Sequence, residues 1–141
     1  MSDSDPQVVV AVDPGRAKCG IAAVAADGGV LGRRIVPADQ VGRAAWQLAT
    51  THGASTIVLG GRTGAGEAWE RLTQATSLPI AEVEEHMTTL QARRRYWREN
   101  PPRGLWRLVP TSLRVPPEPY DDWAAVILAE RYLGLADTEA R

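Results

Sequence analysis

Apolar positions near the start of the chain fall into three runs, each of strand length. Residues 8–12 are apolar and mostly β-branched, which is typical of a strand that is covered on both faces. A second run covers residues 19–26, and a glycine pair separates it from a third run over 30–36. This pattern predicts an antiparallel three-stranded meander over residues 8–36.

Beyond the meander, helical spacing alternates with two short strand-like runs. Asp39 is a candidate N-cap for a helix that extends to about Thr51 and stops at Gly53. The runs at 56–60 and 79–84 predict two further strands, which we expect to lie parallel to the first strand. The order of elements therefore predicts an α/β fold, in which helices flank a mixed five-stranded sheet.

The other predicted helices are separated by an irregular segment. One helix lies between the last two strands and cannot continue through Pro79; its apolar positions are Ala68, Trp69, Leu72 and Ala75.

Thr88 and Gln91 form a capping-box pattern for a second helix, after which six prolines punctuate residues 101–119. A final helix begins with two acids, at positions 121 and 122, and stops at Gly134.

The composition is that of an ordinary globular domain. Hydrophobic residues make up 44% of the 141 positions and charged residues 23%. No run approaches the ~18 apolar residues of a membrane span, so we expect no membrane partner. Cys19 is the single cysteine, which excludes an internal disulfide, and its apolar strand favours a core role.

We expect a cytoplasmic protein with a disordered tail at 1–7, one domain at 8–135 and a short tail at 136–141.

Positive charge is concentrated in one arginine-rich stretch, although the net charge of the chain is −1. Between His86 and Arg107 there are six arginines against one acid, Glu99, and aromatic residues are interleaved with them. Arginine binds phosphates and exposed aromatic rings stack on unpaired bases, so this stretch is a candidate nucleic-acid interface. A solvated helix face is the alternative. The candidate nucleic-acid-binding residues are Arg62, in a glycine-rich turn, and Arg93, Arg94, Trp97, Arg98, Arg103 and Arg107 of the segment 93–119.

Three acidic clusters stand at the ends of predicted elements. Asp13 closes the first strand, Glu84 and Glu85 close the last one, and Asp121 and Asp122 begin the final helix. If the strands end on one side of the sheet, these carboxylates converge, and they repel one another unless a cation neutralises them. Oxygen ligands favour Mg²⁺ or Mn²⁺. Two such ions can activate a water for attack on a phosphodiester and stabilise the leaving oxygen. Each acid also has a structural alternative as a turn residue, a strand-end charge or an N-cap.

Three motifs resemble those of the RNase H-like nucleases, in particular the RuvC and YqgF groups. "VAVDPGRAKCGIAAV", at 10–24, resembles the first strand of these nucleases. "VEEHMTTLQA", at 83–92, resembles the YqgF pattern Val-Asp-Glu-Arg-Leu-Thr-Thr-x-x-Ala. "DDWAAVILAERYL", at 121–133, resembles the closing helix, with Asp121 in its acidic position. The motifs follow the order of the family and span nearly the whole chain.

The resemblance implies an RNase H-like fold and a metal-dependent nuclease. Its implied catalytic and metal-binding residues are Asp13, Glu85 and Asp121, with Asp122 as the reserve ligand and Mg²⁺ or Mn²⁺ as the cofactor. The implied role is maturation of the 5′ end of 16S ribosomal RNA in the cytoplasm, so RNA is favoured over branched DNA as the partner. Resolution of branched DNA, as in Holliday junctions, is the alternative, and a catalytically inactive nucleic-acid-binding module is the second alternative.

The sequence leaves open whether the protein is a monomer or a homodimer. A resolvase cuts two strands symmetrically and therefore needs a two-fold dimer. An apolar helix face such as Trp69-Leu72 is a candidate interface for one.

Overall fold

Five strands and three helices make up the described part of the chain, residues 7–61, 65–83 and 121–134 of the computed structural model. The strands are β1 (Val8–Asp13), β2 (Lys18–Ala25), β3 (Val30–Pro37), β4 (Thr56–Gly60) and β5 (Ile80–Val83). The helices are α1 (Val41–His52), α2 (Ala65–Ala75) and α3 (Asp121–Tyr132). Among the helices in these ranges, none has the length and apolar content needed to cross a membrane.

The strands form one mixed sheet in the order β3-β2-β1-β4-β5. In β1, Val12 lies opposite Ile21 of the antiparallel strand β2 and opposite Leu59 of the parallel strand β4. β3 is antiparallel to β2, and β5 is parallel to β4. The predicted meander, the two parallel strands and the α/β class are therefore confirmed.

The central strand β1 is covered on both faces. Val10 and Val12 belong to a core formed with α1 and α2 on one side of the sheet. Val9 and Ala11 belong to a second core formed with α3 on the other side. Successive side chains of a strand point to opposite faces, so a strand between two helical layers needs an unbroken apolar run. The β-branched run at the start of the chain meets this need.

The start of α1 differs from the prediction. Pro37, with φ −56° and ψ 143°, ends β3 and is followed at once by a 3-10 turn at Ala38–Gln40. Asp39 therefore lies inside a helical turn, and α1 begins at Val41 with Gln40 at its N-cap position. Within the described residues no side chain caps this helix. The prediction of Asp39 as the N-cap is wrong because Pro37 starts the turn earlier.

The predicted stop of α1 is confirmed at Gly53. This residue has φ 67° and ψ 38°, the left-handed conformation in which glycine is favoured. Its N–H donates to the carbonyl oxygen of Ala49, which satisfies one acceptor of the last turn.

The helix α2 presents only part of the proposed dimer face to solvent. Leu72 is fully buried in the core shared with α1, so it is unavailable to a second chain. Trp69 is 39% exposed and lies on the outer side of the helix. Of the pair Trp69-Leu72, only the tryptophan can reach a partner.

The predicted helix that starts near Thr88 and the proline-punctuated segment 101–119 lie outside the described residues.

Gly42 lies where α1 packs against α2, and the structure predicts that a larger residue there destabilises the fold. A Cβ at this position would overlap the carbonyl oxygen of Arg71 and lie 3.1 Å from the Cβ of Ala75. Gly42→Ala should therefore lower the free energy of unfolding by about 1–3 kcal/mol, measured by urea titration.

Gly66→Ala is the matched control, since it also changes a helical glycine. No described atom lies within 4 Å of its added Cβ, so this variant should be as stable as wild type or more stable by about 0.5–1 kcal/mol. Equal stability of the two variants would contradict the close approach of α1 and α2.

Candidate active site

Asp13 is the buried carboxylate of the sheet. It ends β1 opposite Gly20 of β2, and it is 5% exposed. Because Val9 and Ala11 face α3, the alternation of the strand assigns Asp13 to the same face. The carboxylate therefore stands at the carboxyl end of the central strand, on the side covered by α3.

The residues after Asp13 make a tight turn into β2. Pro14 has no backbone N–H, so it cannot donate a hydrogen bond that would continue the pairing of β1. A Cβ on Gly15 would overlap the carbonyl oxygen of Lys18, so the turn requires glycine at this position. The Cys19 thiol lies 3.9 Å from the carbonyl oxygen of Gly15 and is 1% exposed, which confirms its predicted core role. This turn holds the end of β1 close to the start of β2.

The parallel strands bring a second acidic position to the same edge. β1, β4 and β5 run in one direction, and Gly60 at the end of β4 lies opposite Val83 at the end of β5. The carboxyl ends of all three strands therefore share the sheet edge at which Asp13 stands. Glu84 and Glu85 directly follow Val83 in the sequence, and they lie outside the described residues.

The helix α3 packs on the face to which Asp13 belongs. Its residues from Asp122 to Glu130 are all buried, and its apolar side chains pack with Val9 and Ala11 of β1. A helix that is buried around its whole circumference is typical of a protein core. Asp121 is its first residue, and the side chain of Asp121 is not among those described.

The carboxylate of Asp122 forms an ion pair with the third strand. Nη1 of Arg33 donates to Oδ2 of Asp122 at 2.6 Å, and the N–H of Trp123 donates to Oδ1 at 3.0 Å. The Cζ atom of Arg33 lies 4.3 Å from the centroid of the Trp123 ring, within the range of a cation–π contact. The Asp122 side chain is 8% exposed and that of Arg33 is 43% exposed. Both oxygens of this buried carboxylate thus have donors.

The contact of Arg33 with Asp122 was not predicted from the sequence. The signal that could have found it is the pair Arg33-Arg34 inside a predicted strand, because a strand places adjacent side chains on opposite faces. One of the two arginine side chains must therefore point to the face covered by α3. A positive charge on a covered face is stabilised by an acidic partner.

The proposed metal ligands can be located only in part. Among the side chains that the structure describes, no three from His, Cys, Asp and Glu are grouped so that they could hold a metal ion. Of the candidate ligands, Asp13 and Asp122 are described, whereas Glu85 and the side chain of Asp121 are not. The candidate nucleic-acid-binding residues Arg62, Arg93, Arg94, Trp97, Arg98, Arg103 and Arg107 also lie outside the described ranges.

Comparison with known structures gives the class of fold. RuvC from Thermus thermophilus matches with a TM-score of 0.58 and 14% identity, over 95% of this chain and 96% of that chain. This likeness over nearly the full length of both chains shows an RNase H-like fold. No family model matches the chain, and no curated protein matches its sequence.

Two further structures match over part of their length. The nuclease domain of the large terminase subunit gp2 of bacterial virus Sf6 has a TM-score of 0.47 and 20% identity, over 58% of this chain and 39% of that chain. A ROK hexokinase from Thermus thermophilus has a TM-score of 0.44 and 16% identity, over 62% of this chain and 38% of that chain.

Proposed function

We propose that this protein is a metal-dependent nuclease that hydrolyses phosphodiester bonds in RNA. Its proposed substrate is single-stranded RNA or the 5′ end of pre-16S ribosomal RNA during ribosome maturation. The observation that carries the proposal is Asp13, a 5% exposed carboxylate at the carboxyl end of the central strand of an RNase H-like sheet. Burial of a carboxylate costs free energy, so packing alone gives no reason for this residue type there.

Asp13, Glu85 and Asp121 are the proposed ligands of Mg²⁺ or Mn²⁺. Two features of the described residues support this set: β5 ends at the sheet edge of Asp13, and α3, which begins at Asp121, packs on the face of Asp13. Carboxylate oxygens are the donors that these ions prefer. A bound divalent ion would neutralise the carboxylates and activate a water for hydrolysis.

Asp121 is preferred to Asp122 as the third ligand. Oδ2 of Asp122 already accepts from Arg33 at 2.6 Å, and Oδ1 accepts from the backbone N–H of Trp123. A metal ion at Asp122 would have to compete with the positive charge of Arg33.

Asp13→Asn removes the charge and keeps the size of the side chain. We expect this variant to lose Mg²⁺- or Mn²⁺-dependent cleavage of single-stranded RNA. Its melting temperature should equal that of wild type or exceed it, because repulsion among the carboxylates is relieved. Gel-based cleavage and thermal denaturation measure the two effects.

Asp39→Asn is the matched control, since Asp39 is an exposed acid in the turn before α1. It should cleave like wild type. Cleavage by Asp13→Asn would overturn the assignment of the site. Binding of RNA by wild type without cleavage in either metal would make the chain an inactive nucleic-acid-binding module.

The arginine-rich segment is proposed to bind the phosphate backbone. Arg94 and Arg98 are four residues apart in the sequence, the spacing of neighbours on one helix face. Replacing both with alanine should weaken RNA binding and flatten its salt dependence by about 0.7–1 unit of slope per lost phosphate contact. Binding measured at several salt concentrations tests this.

A double control replaces Arg34 and Arg43 with alanine, since both are exposed arginines in the described part of the chain. This control should retain most of the wild-type slope. An unchanged slope in the Arg94→Ala, Arg98→Ala variant would leave those arginines as a solvated surface.

RNA is preferred to branched DNA for two reasons. The motif at 83–92 resembles the YqgF pattern, whose role lies with ribosomal RNA. The aromatic residues beside the arginines suit unstacked bases, whereas a duplex keeps its bases stacked. Resolution of branched DNA is the second candidate function, and the full-length likeness to RuvC favours it.

Matched RNA and four-way DNA junctions, offered to one preparation, decide between these substrates. We expect cleavage of single-stranded RNA and intact junctions, with Asp13→Asn as the control for a contaminating nuclease. Paired symmetrical nicks in the junction with intact RNA would reverse the preference and would require a dimer.

A further inference from the structure

The contact of Arg33 with Asp122 and Trp123 joins two distant parts of the chain. Arg33 and Asp122 are 89 positions apart, and Asp122 is the second residue of α3. Arg33 lies in β3 opposite Ala22, two strands from β1. The ion pair therefore ties the first turn of α3 to the edge strand of the sheet.

The rest of the α3 interface is mainly small and apolar, and Glu130, 5% exposed, is a second buried acid of this helix. The sheet contributes Val9, Ala11, Ala22, Val24 and Val58, and the helix contributes mainly alanine and aliphatic residues. Burial of apolar surface has no preferred direction, so it specifies the exact position of the helix start less sharply than a directed contact does. A charged hydrogen bond has a defined distance and angle, and it selects one placement of the helix.

We propose that Arg33 and Asp122 are a positioning pair. The pair holds the first turn of α3, and with it Asp121, beside the carboxyl ends of the parallel strands β1, β4 and β5. This inference rests on the proposed metal-dependent nuclease, in which Asp121 is a ligand. In this role the pair acts through Asp121 and makes no contact of its own with substrate or metal. The Trp123 ring supports the pair, because its face holds the guanidinium at 4.3 Å.

The positive charge of Arg33 also affects the repulsion among the proposed ligands. The Asp122 side chain is 8% exposed and lies one residue from Asp121, so its negative charge would add to the repulsion among the proposed ligands. Arg33 offsets that charge, and Asp121 is left to act as a ligand. Asp122 is thus the residue that places Asp121, and the two adjacent acids have different roles.

Arg33→Gln tests the pair, with Arg34→Gln as the matched control on the opposite face of the same strand. The quantity to measure is the Mn²⁺ concentration that gives half-maximal RNA cleavage. We expect Arg33→Gln to raise it by about tenfold, the lower end of the effect of removing a group bonded directly to a metal ligand, because Arg33 acts through Asp122. KM for RNA should not change, because Arg33 does not bind substrate. Arg34→Gln should match wild type.

Two further variants separate positioning from general stability. Arg33→Lys keeps the charge without the planar fork and should recover part of the metal affinity. Asp122→Asn should raise the Mn²⁺ requirement in the same direction, and combining it with Arg33→Gln should add little, because both changes break one contact. An unchanged Mn²⁺ requirement in Arg33→Gln would overturn the proposal. A raised KM with an unchanged Mn²⁺ requirement would also overturn it, by making Arg33 a substrate contact.

Hydrogen exchange distinguishes failure of this inference from failure of the proposed function. The amides in the first turns of α3 should exchange faster in Arg33→Gln, whereas those of β1 should keep their wild-type rates. Unchanged exchange in α3 would overturn the positioning role whatever the activity. A wild-type protein without cleavage in Mg²⁺ or Mn²⁺ would overturn the nuclease and the role of the pair in it, and faster exchange would still identify the pair as a structural anchor.

Discussion

The structure depends on a central strand that is apolar on both faces and yet ends in a charged residue. β1 lies between β2 and β4, and helices cover it on either side. Every side chain from Val9 to Val12 is fully buried, so the strand cannot turn over or slip without exposing apolar surface. The same packing that holds these valines therefore brings Asp13 to one defined place, the carboxyl edge of the sheet.

The second constraint is the way in which α3 lies on this sheet. Its apolar residues supply the burial, but they do not specify where the helix begins relative to Asp13. The contact of Asp122 with Arg33 and Trp123 supplies a direction. An ion pair with one half-exposed member adds little net stability when desolvation and solvent screening are counted. The role that we propose for it is therefore to specify one arrangement of the helix. In this protein the arrangement brings an acidic helix start to a sheet face that carries a buried acid.

Several local features could be predicted because they depend on neighbouring residues. Gly53 ends α1 in the left-handed conformation, and Cys19 lies in the core, as their surroundings in the sequence indicate. Asp39 shows the limit of such reasoning. Its residue type suits an N-cap, but Pro37 starts a 3-10 turn before it, so the competing preference of one proline decides where the turn begins.

The sequence by itself determined the strands and the position of Asp13 at the end of β1, because hydrophobic periodicity and turn chemistry act over a few residues. The mixed sheet could be predicted from the order of strands and helices along the chain. Only the tertiary structure decided that Arg33, and not its neighbour Arg34, meets Asp122 across 89 positions. That pairing depends on the face to which each strand residue points and on the rotation of α3 against the sheet. Neither quantity is contained in a local pattern, because each depends on how the helix and the sheet pack against each other, and the contact of Arg33 with Asp122 forms only once they do.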